Sequence, residues 1–424
     1  MVPSMPPSKP KVALVLAGGG ARGAYEIGAL SELLPVLEER GERPDIVVGT
    51  SVGALNAAFL AATADRPAVD VIEQGKRIWE EVSFDDVLRP LVGAEEIAHA
   101  LRSFADLVGI PGVRSWSLLD PEPLGATLKR AIPFARIRRN VASGALSAAA
   151  VVATSADSGR SVVFHDGGGK PKRDRSRGID YVSTKLGIDH VRASAAIPSI
   201  FPAVRVGAPT TARGWYFDGG THLNTPIKPA LALGADRVIV VALNSLSEPP
   251  KSGRPARPDA YDGVSQLLQA VLVDPLVHDV HTLTTINEIV AKAGTVPAEA
   301  ASGAGATEGV LDPPTTDRSS VRMYKRVPYM LIAPETRNAI GDCAVQIYKD
   351  HYSGIGGAAR SRDLALLGHA LDAGLNSVRG ELFSYLFFAP EFAHRLLELG
   401  REDARRWLSR RHDNGPWRLR PLPT

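Results

Sequence analysis

Cysteine is almost missing from this chain of 424 residues, which contains only Cys343. A single cysteine cannot form an internal disulfide, and no cysteines and histidines cluster with the spacing of a zinc site. Long apolar runs are missing as well: none could span a membrane, and the proline-rich stretch from Met1 to Lys11 lacks the apolar core of a secretory signal. We therefore expect a protein that uses no metal and is either cytoplasmic or exported without a cleaved signal peptide.

An excess of charge of one sign is also lacking. The 49 basic and 46 acidic residues leave a formal net charge of +3, although the isoelectric point is near 8.9. This balance argues against a nucleic-acid partner. Hydrophobic residues make up 44% of the chain and charged residues 22%, which is typical of a globular protein. The length allows one large α/β domain with insertions, or two domains.

Both common nucleotide-binding signatures are incomplete. The glycines at 18, 20 and 23 satisfy G-x-G-x-x-G after an apolar strand, Lys11 to Ala17, and before a predicted helix. A dinucleotide site also needs an acidic residue where the second strand ends, but Val48 is followed by Gly49. No Gly-Lys-Ser/Thr ending is present either. What remains is a row of backbone amides at a helix N-terminus, with the fixed charge of Arg22 close by.

A second glycine-rich turn follows the next predicted strand, Asp45 to Val48. Its sequence, Gly49-Thr50-Ser51-Val52-Gly53, leads into an Ala- and Leu-rich helix and has the form of a nucleophile elbow. Small residues also fill crowded strand-to-helix turns, so the pattern alone leaves a purely structural role open. Because a βαβ crossover is right-handed, both glycine-rich turns should meet at one edge of a parallel sheet.

A serine nucleophile at Ser51 would need a base. An α/β-hydrolase places several strands before its nucleophile, whereas only two are predicted here. His222 lies four residues from Asp218, and we interpret it as a surface or supporting residue. Asp218 is the better partner because it ends a predicted strand, Trp215 to Phe217, and precedes a Gly-Gly turn. The alternative for Asp218 is a structural Asx turn.

Together these motifs resemble the patatin-like phospholipases. The resemblance rests on three ordered motifs, at 18–23, 49–53 and 218–220, and on a block at 193–202 that is similar to the family's Ala-Ser-x-x-x-Pro-x-x-Phe-x-Pro. It implies a three-layer α/β/α sandwich around a mostly parallel sheet, with helical insertions and a helical C-terminal region. It implies a Ser51 nucleophile and an Asp218 base. It also implies an oxyanion hole made by Gly18, Gly19, Gly20 and Arg22. The turns that support the site would contain Gly23, Gly49, Gly53, Gly219 and Gly220.

Composition divides the chain into segments. We predict a flexible N-terminus (1–10) and a catalytic core (11–245) that contains a helical cover or lid (84–117). They are followed by an insertion with Pro-, Gly- and Ala-rich linkers (246–326), a returning strand with C-terminal helices (327–411) and a tail (412–424). The apolar cluster from Leu382 to Phe388 is either a membrane anchor or, as we favour, buried core.

The resemblance implies a lipid acyl hydrolase of the phospholipase A or lysophospholipase type, acting through an acyl-enzyme without a cofactor. Its substrate would be a membrane phospholipid or another acyl ester, reached by transient contact of a cytoplasmic protein with the membrane surface. An acyltransferase using the same residues and a catalytically silent module that binds lipid or protein remain alternatives. The sequence identifies no protein partner.

Overall fold

The structure is a computed structural model, and it describes residues 9–90, 119–198, 200–245, 287, 326–371 and 377–420. Most of the predicted cover at 84–117 and nearly all of the predicted insertion at 246–326 lie outside these residues. So do residues 1–8 of the predicted N-terminus and 421–424 of the predicted tail.

One mixed, mostly parallel sheet forms the centre of the described residues. Seven of its strands follow the spatial order β5-β4-β3-β2-β1-β8-β9, while β7 pairs with β3 and β6. The strands are β1 (Val12–Leu16), β2 (Ile46–Thr50), β3 (Ala148–Ser155), β4 (Ser161–Gly167), β5 (Ile179–Ser183), β6 (Val204–Val206), β7 (Gly214–Asp218), β8 (Arg237–Val241) and β9 (Tyr329–Ile332).

The interior strands are short apolar runs that are buried on both faces. Every residue of β1 and β2 is buried, which is why neither strand shows the alternating pattern of a half-exposed sheet. β1 lies parallel to both β2 and β8, so the two βα units pair as predicted. The glycine-rich turns after β1 and β2 therefore meet at the same edge of the sheet.

Strand β3 has two different neighbours along the same side. Its first part, Ala148 to Val152, runs parallel to β2, and its last three residues pair antiparallel with β7. Because β2 ends where β7 begins to pair, the two strands meet end to end beside β3. In this register Asp218 lies opposite Ala153, one residue beyond the partner of Thr50.

Helices flank this sheet. In the core they are α1 (Ala24–Glu39), α2 (Val52–Ala62), α3 (Ala68–Glu81), α4 (Phe84–Val87), α5 (Glu122–Ala131), α6 (Phe134–Ser143), α7 (Ile188–Ser194), α8 (Gly220–Leu223) and α9 (Ile227–Ala232). In the C-terminal region they are α10 (Ala339–Ile347), α11 (Gly354–Arg360), α12 (Arg362–Ala370), α13 (Ser377–Ser384) and α14 (Pro390–Ser409). α14 packs along α1 and against α3, which joins the C-terminal region to the first helix of the core.

Helix α1 continues through Pro35, where the sequence predicts a kink or an early end. The expected shortening was wrong, because the helix reaches Glu39 and ends before Gly41, which adopts a φ of 65°. A proline removes one helical hydrogen bond, but the apolar side chains of Leu33 and Leu37 on either side of it are buried. Their packing outweighs the local preference.

The C-terminal aromatic cluster is buried core. Phe383 and Phe387 are fully buried and contact each other, and Tyr348 and Tyr352 pack against them edge to face. The segment that the sequence analysis took for a tail is also packed, since Trp417 is buried. No helix among the described residues is both long enough and apolar enough to cross a membrane.

Candidate active site

Ser51 occupies a strained turn between β2 and α2. Its φ is 54° and its ψ is −125°, and among the described residues it is the only one other than glycine with a positive φ. Such a conformation destabilises any residue other than glycine and persists only where the surrounding structure enforces it. The flanking glycines allow it: a Cβ on Gly49 would overlap the carbonyl of Gly53, and a Cβ on Gly53 would overlap the carbonyl of Leu16.

Ser194 fixes the main chain at this turn. Its hydroxyl accepts a hydrogen bond from the Ser51 amide at 2.9 Å and donates one to the carbonyl of Val152 at 2.5 Å. Ser194 is fully buried at the end of α7 and thereby connects the turn to β3. Ser194 lies in the block at 193–202 that contributes to the family resemblance, but no local pattern in the sequence indicates this role.

The side chain of Asp218 faces Ser51 from the end of β7. It is almost completely buried, lies beside Ser51, and accepts a 2.7 Å hydrogen bond from the Gly220 amide at Oδ1. Burial raises the pKa of Asp218 to about 7, and the neighbouring Ser51 side chain and the Gly220 amide offset only part of that rise. A carboxyl group that titrates near neutrality beside a serine hydroxyl can exchange a proton with it.

The three glycines after β1 are not equivalent. The Gly18 amide already donates to Asn224, both to its carbonyl at 3.2 Å and to its Oδ1 at 3.1 Å. The amides of Gly19 and Gly20 have no acceptor among the described residues. Of the three amides predicted for an oxyanion hole, these two are therefore available, whereas that of Gly18 anchors the loop to the segment after α8.

Arg22 uses its guanidinium on the C-terminal region. It is fully buried, and its Nη2 donates to both the carboxylate and the carbonyl of Glu381, each at 2.5 Å. Nε donates to Ser384 at 2.7 Å, and Nη1 donates to Asn244 at 3.1 Å. Arg22 therefore anchors the glycine loop, residues 18–23, to the C-terminal region, and a part for it in an oxyanion hole stays a prediction.

An apolar cleft opens beside Ser51. It has a volume of about 830 Å³, with open solvent at its mouth included, and lies between α2, α3 and α5. Gly20 and Ser51 contribute to its wall, which also contains many apolar side chains, among them Ile27, Leu55, Phe59, Ile78, Trp79, Leu124, Leu128, Ile132, Phe201 and Phe388. Such a lining suits a hydrocarbon chain. By contrast, the side chain of His222 is exposed.

Comparisons with known proteins agree with these motifs. A family model described as "Patatin-like phospholipase" matches residues 14–231, about half of the chain. A lysophospholipase nte1 from Aspergillus terreus is 50% identical over 54 residues, 13% of this chain and 3% of that protein. The human patatin-like phospholipase domain-containing protein 6 is 40% identical over 81 residues, 19% of this chain and 5% of that protein. The chain thus matches only 3% to 5% of the length of these relatives.

A solved structure, VipD from Legionella pneumophila, is similar at a TM-score of 0.29 and 14% sequence identity. That similarity covers 77% of this chain and 62% of VipD. At this level it tells nothing about the chemistry of this chain.

Proposed function

The chain belongs to the patatin-like phospholipase family, and from this premise we propose that it is a serine hydrolase that cleaves fatty acyl esters of membrane lipids. One observation carries the proposal: Ser51, held at a positive φ, lies beside the buried Asp218, whose pKa it lowers, and beside the two available glycine amides. A nucleophile, a base and oxyanion donors are the parts that acyl transfer needs.

In the first half of the proposed reaction, Ser51 attacks the ester carbonyl carbon and transfers its hydroxyl proton to Asp218. The carbonyl π electrons move onto oxygen, and the amides of Gly19 and Gly20 stabilise the negative charge. When the tetrahedral intermediate collapses, the bond to the alcohol breaks and Asp218 returns the proton to the leaving oxygen. The products are an acyl-enzyme and a lysolipid or alcohol.

In the second half, water attacks the acyl-enzyme. Asp218 accepts a proton from water, the same amides stabilise the second oxyanion, and the proton passes to Ser51 as the free fatty acid leaves. The apolar cleft is the proposed site of the acyl chain, since its wall begins at Ser51 and Gly20. No cofactor takes part in this scheme, and the enzyme reaches its substrate by peripheral contact with a membrane.

Purified wild-type protein, Ser51→Ala and Asp218→Asn should be compared on phospholipid vesicles and on a short-chain ester. Free fatty acid release measures hydrolysis, and covalent labelling by a fluorophosphonate measures the reactivity of the serine. Labelling that disappears in Ser51→Ala, together with release that disappears in both variants, is the expected result. Circular dichroism of each variant controls for loss of the fold.

Two other results would redirect the proposal. If an added alcohol or lysolipid receives the acyl group in preference to water, the same residues catalyse acyl transfer. If folded wild-type protein neither reacts with the fluorophosphonate nor releases fatty acid, the catalytic assignment is wrong and a lipid-binding or partner-binding module becomes the better account.

A further inference from the structure

The segment from Glu381 to Phe388, here called the C-terminal latch, reaches the site from outside the residues that match the family. The family match ends at residue 231, whereas the latch begins 150 residues later, at the end of α13. Phe388 contributes to the wall of the apolar cleft beside Ser51. Burial raises the pKa of the half-buried Tyr385 phenol, and so, to a smaller extent, does the charge of the nearby Asp218 carboxylate.

The latch binds the glycine loop through its main chain. The Ala21 amide donates to the carbonyl of Tyr385 at 2.9 Å, and a Cβ on Gly20 would overlap that same carbonyl. Gly20 itself has a φ of 61°, so its conformation and its close contact with Tyr385 both require glycine. One of the two available amides therefore belongs to a residue that lies directly against the latch.

The latch also holds the loop through Arg22. The Glu381 carboxylate pairs with the buried guanidinium, Ser384 accepts from Nε, and the guanidinium lies 3.9 Å from the centroid of the Tyr385 ring. Leaving a buried charge without its partner strongly destabilises a folded protein, so the ion pair with Glu381 holds Arg22 in one position. Arg22 lies two residues after Gly20, within the same short 3₁₀ helix.

Building on the function proposed above, we propose that the C-terminal latch positions the oxyanion hole. Glu381 and Ser384 are positioning residues that act through Arg22, and the Tyr385 carbonyl acts through Ala21. Together they set the direction of the Gly19 and Gly20 amides. Catalysis then depends on a segment that lies about 360 residues after Arg22 in the sequence. Loosening the latch lowers the catalytic rate, while the acyl chain still binds in the apolar cleft.

The test compares Ser384→Ala and Glu381→Gln with wild type and a matched control. Ser384→Ala removes one acceptor from Arg22, and Glu381→Gln removes the charge while keeping the shape. The control is Tyr25→Phe, which breaks the buried 2.7 Å hydrogen bond from Tyr25 to Asp403. That bond also joins the N-terminal core to the C-terminal helices, but it does not touch the glycine loop. Ser384→Thr, which keeps the hydroxyl, serves as the conservative rescue variant.

Two measurements are made on each protein. The first is kcat and KM for a water-soluble ester, where misplaced donors should lower kcat by about 10² with KM nearly unchanged. The second is amide hydrogen exchange of the loop peptide containing residues 18–23, which needs no activity. The proposal predicts faster exchange and lower kcat in Ser384→Ala and Glu381→Gln, near wild-type values for both in Ser384→Thr, and neither change in Tyr25→Phe, whatever its melting temperature.

The outcomes separate this inference from the proposed function. If wild type proves inactive, the proposed function fails, and loop exchange alone then decides whether the latch holds the loop. Wild-type exchange and kcat in folded Ser384→Ala and Glu381→Gln would overturn the inference. So would an equal loss of kcat in Tyr25→Phe, because the latch would then be only one of several structural supports. Should Glu381→Gln fail to fold, Ser384→Ala and Ser384→Thr carry the test.

Discussion

The raised pKa of Asp218 predicts that activity increases with pH while the stability of the folded protein decreases. Burial raises this pKa from its ordinary value of 3.8 to about 7. A base must be ionised to accept the Ser51 proton, so activity should rise with pH through neutrality. With a pKa near 7, about one molecule in ten carries the carboxylate at pH 6, and about nine in ten carry it at pH 8.

Stability should change in the other direction. The folded protein retains a proton that the unfolded chain releases above pH 3.8, so the folded state loses stability as the pH rises from there towards 7. The rise in pKa corresponds to at most about 4 kcal/mol. Asp218→Asn has no proton to release, while its side-chain oxygen can still accept from Gly220. The variant should therefore be inactive yet more stable than wild type at pH 8, and the difference should vanish near pH 4.

The assay pairs two profiles on the same proteins. The first is kcat/KM for a soluble short-chain ester between pH 5 and 9, which reports the free enzyme without the complication of a lipid surface. The second is urea unfolding of wild type and Asp218→Asn over the same range and down to pH 4. A flat rate profile between pH 5 and 8 would refute the assignment of Asp218 as a base. An Asp218→Asn protein that is less stable than wild type at pH 8 would refute the claim that burial disfavours its charge.

Three further substitutions test the supports of the site. Glu26 is fully buried, and burial raises its pKa well above 4.5 despite a hydrogen bond from Asn56, so the folded state loses stability as the pH rises from about 4.5; Glu26→Gln should melt a few degrees above wild type at pH 8 and equally near pH 4 in calorimetry. Gly49→Ala should abolish fluorophosphonate labelling, because its Cβ would overlap the Gly53 carbonyl and displace the elbow; normal labelling would contradict that geometry. Leu55→Trp should fill the cleft and lower hydrolysis of long-chain esters more than tenfold while sparing acetate esters, as measured by paired rates; an equal loss on both would place the acyl chain elsewhere.

Local sequence patterns predicted the part of the fold that local physics determines. A strand buried on both faces reads as a continuous apolar run, which is why β1 and β2 and the turns after them were predicted from sequence. The apolar runs from Ala148 to Ala156 and from Ser161 to His165, joined by a short turn that contains Gly159, likewise predict a hairpin, and β3 and β4 do pair antiparallel. The helix through Pro35 shows the limit, since it does not end early at the proline and the leucines on either side of Pro35 are buried.

The contacts that assemble the site were beyond local patterns. Asp218 was proposed because it ends a predicted strand before a Gly-Gly turn and fits the family resemblance, but nothing in its immediate sequence reveals that β7 meets β2 end to end. Nothing near Arg22 indicates that its partner is Glu381, 359 residues away. The anchoring of Gly18 by Asn224 spans 206 residues. Pairings of this kind depend on the completed sheet and on the docking of the C-terminal helices, so no window of sequence contains them.

The features that make the proposed chemistry possible each destabilise the folded protein. Ser51 has an unfavourable main-chain conformation, the Asp218 carboxylate is poorly solvated, and the amides of Gly19 and Gly20 find no acceptor in the part of the chain that the structure describes. The tetrahedral intermediate would relieve two of these, since its oxyanion accepts from the amides and its formation leaves Asp218 protonated, the form that burial favours. Interactions that improve only at the transition state raise kcat rather than tighten substrate binding. It follows that a variant which removes one of these destabilising features, as Asp218→Asn removes the poorly solvated charge, should stabilise the fold as it abolishes turnover.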